Sequence, residues 1–189
     1  PKRRTLRRVT PSAAVSCHGR AASALFSPRD GLAAQRGIRL HQALSRILWL
    51  DPAAPQPPGI PQSELDLTVP SPFRDALTRP AHATDLWRER AFELVIADEW
   101  ISGTFDRVVF LEENGLRRAE ILDFKSNRPH DGESPSAFAS RMASAYSGQL
   151  ASYRRALARL ARLPESAIRC TLLLTSTRQT VNCQPGVTP

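Results

Sequence analysis

The chain has 189 residues, 41% of them apolar, with a formal net charge of +8. That is enough for one domain with its own core, and no apolar run approaches the roughly 18 residues of a membrane span. The three cysteines, Cys17, Cys170 and Cys183, form no CxxC pair, which argues against a disulfide framework or a compact zinc site.

Residues 1–30 read as an irregular basic arm or linker remnant. Lys2, Arg3, Arg4, Arg7, Arg8, Arg20 and Arg29 lie in residues 1–29 with no acid, so this segment holds +7 of the net +8. Such an arm can bind phosphates through counterion release, which makes Lys2, Arg3 and Arg4 candidate DNA contacts; a solvated tail is equally compatible. Lacking an apolar secretory core, the N-terminus implies a cytoplasmic location. Lacking an initiator Met, it suggests a piece of a longer protein. The domain proper is expected over residues 31–189.

Leu40, Leu44, Ile47 and Leu48 recur at helical spacing and predict a helix over 32–50, with His41 beside the stripe. Eight of the 16 prolines then fall between Pro52 and Pro80, which predicts loop with at most a short helix near 73–79. "AFELVIADEW" and "ISGTFDRVVFL" predict two strands joined by a turn at 97–99. "EENG" is a turn and "RRAEILDFKS" a third strand. After the turn-rich "NRPHDGESP", residues 136–163 predict a long helix with Phe138, Met142, Tyr146, Gln149, Tyr153 and Leu157 along one side. "RCTLLLTST" suits a central strand, and "QTVNC" can pair with it. This order predicts an α/β sandwich in which helices flank a mixed central sheet, the last strand returning parallel through a helix crossover.

Asp106 and Asp123 each stand at the end of an apolar, strand-like stretch, and Lys125 shares a face with Asp123. The hairpin can bring the two aspartates side by side. Paired carboxylates repel, and a divalent cation offsets that repulsion; oxygen donors suit Mg²⁺ or Mn²⁺. A cation there can polarise a phosphoryl oxygen, with Lys125 orienting water or neutralising phosphate charge. Taken alone, D-x-K more often marks a surface ion pair worth about 0–1 kcal/mol; the upstream acid is what raises the site above that.

"GTFDRV", "ILDFKS" and "QLASY" together resemble the RecB-type nuclease branch of the PD-(D/E)XK superfamily, and more narrowly the C-terminal nuclease domain of AddA- and RecB-like helicase–nucleases. The family's G-x-[IVF]-D-R context matches Gly103–Arg107, its D-[YF]-K-[TS] matches Asp123–Ser126, its Q-x-x-x-Y matches Gln149 and Tyr153, and its G-x-x-x-H matches Gly37–His41. A glutamate before the first strand matches Glu89 less closely. The resemblance implies a restriction-endonuclease-like fold with an αβββαβ core. It implies His41, Asp106, Asp123 and the Phe124 carbonyl as metal ligands, and Asp106, Asp123, Lys125, Gln149 and Tyr153 as catalytic, with Arg107 and Ser126 near DNA. The implied activity is Mg²⁺- or Mn²⁺-dependent exonuclease cleavage of single-stranded DNA delivered by a helicase, in double-strand-break repair and recombination. The sequence contains no Walker A motif, so a helicase partner is expected elsewhere. Relatives with an iron–sulfur cluster use four cysteines, so no cluster is expected. The competing expectations are a catalytically inactive DNA-binding or scaffold module and a standalone endonuclease.

Overall fold

The computed structural model describes residues 7–11, 28–51 and 53–183. In order they form strand β1 (Arg7–Val9), helix α1 (Pro28–Ser45), the short helix α2 (Pro72–Asp75), strands β2 (Ala83–Ile96), β3 (Glu99–Glu113) and β4 (Leu116–Lys125), the long helix α3 (Pro135–Ala161), a 3-10 turn (Glu165–Ala167), and strands β5 (Ile168–Leu174) and β6 (Gln179–Asn182). The strands make one mixed sheet. β2, β3 and β4 are an antiparallel meander, β5 lies parallel to β4, and β6 turns back on β5. The α3 crossover supplies the parallel return that the element order predicts. Among the described residues no helix is long and apolar enough to cross a membrane.

Two cores cover the two faces. On one, Phe138, Met142, Leu150, Tyr153 and Leu157 of α3 pack on Phe105, Val108, Ile121 and Leu172. Ser134 caps this helix, its Oγ accepting from the Ala137 amide, and Pro135 occupies the first turn, where its missing N–H costs nothing. On the other face, Leu40 and Leu44 of α1 meet Val109, Leu122, Phe124 and Leu173.

Two expectations change, and a third gains detail. The proline-rich stretch is loop with the one short helix α2, as its prolines predict, but it is a packed loop. Ile60, Leu65, Leu67, Phe73 and Leu77 are buried in the second core. Gln56 ties the segment together, donating to the carbonyls of Ile60 and Leu65 and accepting from the Leu67 amide. Helix α1 runs from Pro28 to Ser45, short of Ile47 and Leu48, and Leu48 is exposed. Part of the stretch read as an arm joins the sheet, since Arg7–Val9 pairs in parallel with Glu99–Ile101 of β3. Lys2, Arg3 and Arg4 lie outside the described residues.

Candidate active site

The site grows from a fork in the sheet. β3 and β4 pair from Arg107↔Leu122 outward to Glu113↔Leu116. On the same edge of β3, β1 pairs only with 99–101. Residues 102–106 lie between these two ladders. There the Asp106 carboxylate takes the place of a backbone acceptor: the Phe124 amide donates to its Oδ2 at 2.8 Å. A cavity of about 470 Å³ occupies the fork, lined by Thr10, Ser102, Thr104, Asp106, Asp123 and Lys125 among others.

Both strands of the β2–β3 pair change phase beside it. Phe105 and Val108 are three residues apart yet face the same core, as do Trp87 and Phe92 at five apart. Regular alternation forbids this. The irregularity falls at Glu89, whose φ of 46° is left-handed, a conformation uncommon for a residue with a side chain. The expectation of Asp106 at a strand end is therefore corrected: it lies mid-strand, at this change of phase. Glu89 is likewise inside β2 and not before it.

Side-chain atoms of His41, Glu89 and Asp106 lie within 4.8 Å of one another. His41 Nε2 is 3.5 Å from Asp106 Oδ2 and 3.0 Å from the Phe124 carbonyl oxygen, to which it donates when protonated at that nitrogen. Gly37 stands one turn earlier and faces Ser126, where a Cβ would come within 2.6 Å of Ser126 Oγ, a contact that rotation of the serine side chain would relieve. Imidazole nitrogen, two carboxylates and a carbonyl form a donor set that fits a hard divalent cation. Burial, then the nearby Asp123 charge, pushes the Asp106 carboxyl up to about 7, against the opposing pull of His41, Lys125 and the Phe124 amide. Partial burial also raises Glu89, with His41 opposing.

Asp123 stands beside this group and is 1% exposed. Gln149 Nε2 donates to its Oδ1 at 3.4 Å. Its Oδ2 contacts the Lys125 ammonium. Burial lowers the pKa of Lys125, but the Asp123 charge and hydrogen bond, with Asp106 and Tyr146, outweigh it and hold the ammonium above its ordinary value. Tyr153 packs edge-on against Phe92 and Phe105, and burial, followed by Asp123, pushes its phenol up to about 12. Gly103 admits this aromatic group, since a Cβ would lie 2.9 Å from Phe92 Cζ and 3.1 Å from Tyr153 Cε1.

Of the residues expected at the site, His41, Asp106, Asp123, Phe124, Lys125, Gln149 and Tyr153 converge here. Ser126 lines a neighbouring cavity of about 460 Å³, bordered also by Glu89 and by His41, which lines the fork cavity too. Arg107 does not belong. It is 1% exposed, its Nη1 and Nη2 donate to the carbonyls of Ile47 and Leu48, and its guanidinium lies 4.7 Å from the Trp49 ring centroid. Its donors fasten the chain leaving α1, so the expectation of a DNA contact is corrected. Glu89, which the resemblance matches only loosely, joins His41 and Asp106 through a backbone of φ 46° that has no signature in "RERAFE".

A model of the PD-(D/E)XK nuclease superfamily matches residues 18–186. No curated protein matches the chain. A match over most of the length, on a sheet that forks at an aspartate and ends in D-F-K, places the chain in the PD-(D/E)XK nuclease superfamily, whose chemistry is that of a nuclease.

Proposed function

We propose that this chain is a divalent-metal-dependent DNA nuclease, acting as the exonuclease module of a helicase–nuclease in break repair and recombination. The observation that carries the metal-dependent reading is the convergence of His41, Glu89, Asp106 and the Phe124 carbonyl beside the Asp123–Lys125 pair. His41, Asp106 and Phe124 O would hold Mg²⁺ or Mn²⁺, with Glu89 as a further carboxylate and Asp123 as a candidate ligand. When bound, the cation supplies Lewis-acid polarisation of the phosphoryl oxygen and a lowered pKa for water.

The chain's own residues do the rest. Asp123 fixes the Lys125 ammonium at the cavity wall, where its charge faces the charge that develops on phosphate during in-line displacement. Gln149 restrains the Asp123 carboxylate through Oδ1, so the pair keeps one orientation. Tyr153 stays neutral and holds the aromatic floor under Gly103. Ser126 and the basic residues Lys2, Arg3 and Arg4 are proposed DNA contacts. Binding through phosphates should fall steeply with salt.

The exonuclease, single-strand and helicase parts of this reading rest on the likeness of the motifs to RecB-type domains. A standalone endonuclease fits the same fork. End-labelled linear and circular single-stranded DNA, incubated with the purified chain and Mg²⁺ or Mn²⁺, separates them. Degradation of linear DNA with sparing of circles is expected. Nicking of circles contradicts the exonuclease reading, and inertness on both contradicts the nuclease reading.

A further inference from the structure

Helix α3 places three residues of one face on the site at i, i+3 and i+7. Gln149 holds Asp123 and Tyr153 builds the aromatic floor. Tyr146 has no role in the chemistry described so far. Its ring centroid lies 4.2 Å from Lys125 Nζ. Its hydroxyl donates to Asn127 Oδ1 at 3.1 Å. Lys125 is thus held between the Asp123 carboxylate on one side and an aromatic face on the other.

The two contacts do different work. An ammonium bound only by a carboxylate can rotate on its four-carbon stem. The negative face of a ring opposes that rotation and attracts the cation electrostatically. A neutral ring adds no compensating charge, so the lysine keeps its net positive field toward the cavity. The bond to Asn127 fixes the tyrosine ring by tying it to the chain two residues beyond the lysine.

We propose that Tyr146 is a positioning residue for the nuclease reaction, its ring holding the Lys125 ammonium at the cavity wall. This inference rests on the nuclease reading for its kinetic consequence, but its contact can be tested without activity. In the full chain, Tyr146→Leu is expected to lower kcat about tenfold with KM within about threefold. Its thermal midpoint should stay within about 2 °C of the parent. Tyr146→Phe, which keeps the ring and loses the Asn127 bond, should restore kcat to within about threefold. The Lys125 side-chain Cε–Hε resonance should lose its ring-current displacement in Tyr146→Leu and keep it in Tyr146→Phe.

Several results would overturn the proposal: an unchanged kcat in Tyr146→Leu, a Phe variant as impaired as the Leu variant, or a loss confined to KM, which would make Tyr146 a direct DNA contact. If the parent chain cleaves no DNA, the nuclease reading fails while the resonance still decides the contact. A Lys125 resonance indifferent to Leu then overturns the positioning role as well.

Discussion

Arg107 and Lys125 are cations on adjacent strands, Arg107 buried and Lys125 half-buried, and they sit in opposite kinds of environment. Arg107 faces the α1 side, where neutral carbonyls of Ile47 and Leu48 and the Trp49 ring receive it. No ion pair to it is found among the described residues, and burial, with the Arg88 charge added, lowers its pKa to about 10. Lys125 faces the α3 side, where carboxylates border an open cavity and hold its charge. One cation is committed to the fold. The other is held by carboxylates at the wall of an open cavity, where the proposed reaction would use it. Burial alone does not separate the two; what the partners are and whether they border a cavity does.

Breaking each environment should give different losses. The largest is expected at the site. Lys125→Ala should reduce kcat on single-stranded DNA by about 10²–10⁴, the range for a positioned charge or proton-transfer group, while circular dichroism and the unfolding midpoint stay near the parent. Arg107→Ala should show the converse. Removing a fully buried side chain with two charged hydrogen bonds should cost about 2–4 kcal/mol in urea unfolding, and at temperatures where the variant is folded its DNA affinity should match the parent.

A smaller effect tests the aromatic floor between the two. Gly103→Ala should cost about 1–3 kcal/mol, as overpacking does, because its Cβ meets Phe92 and Tyr153 at about 3 Å. The smallest effect is one of pH. Asp106 has its carboxyl pushed up to about 7 in the fold, against about 4 in an unfolded chain. Between these values the folded state binds the extra proton, so stability of the metal-free protein falls as pH rises through that window. A cation must displace that proton, so Mn²⁺ affinity should weaken by up to about tenfold per unit as pH falls below 7. Calorimetric Mn²⁺ titrations at pH 5.5, 6.5 and 7.5 read the affinity slope, and urea unfolding of the metal-free chain at the same pH values reads the stability slope.

Much of this was legible in the residues. The β-rich runs ending in "ILDFK" and the stripe Phe138–Leu157 specify strand and helix by period alone, and the hairpin turn at Asn114–Gly115 fixes the β3–β4 register. That register sets Arg107 opposite Leu122, and so brings Asp106 beside Asp123. Two things were not legible. The motif's context, not the strand's alternation, puts Arg107 near DNA; in the fold it faces α1, where the carbonyls of Ile47 and Leu48, beyond the helix end, receive it. Glu89 joins the cluster through a left-handed backbone that no propensity predicts. The proline-rich segment hid its role differently. Its apolar residues follow no helical or strand period, so Ile60, Leu65 and Leu67 read as loop although they fill a core.

The most direct test of the strand-fork cation site is calorimetric titration of Mn²⁺ into the parent chain and into Asp106→Ala at pH 7.5. One site in the parent, lost or weakened more than about tenfold in the variant, is the predicted result. A parent that binds no Mn²⁺, or a variant that binds it as tightly as the parent, would contradict it.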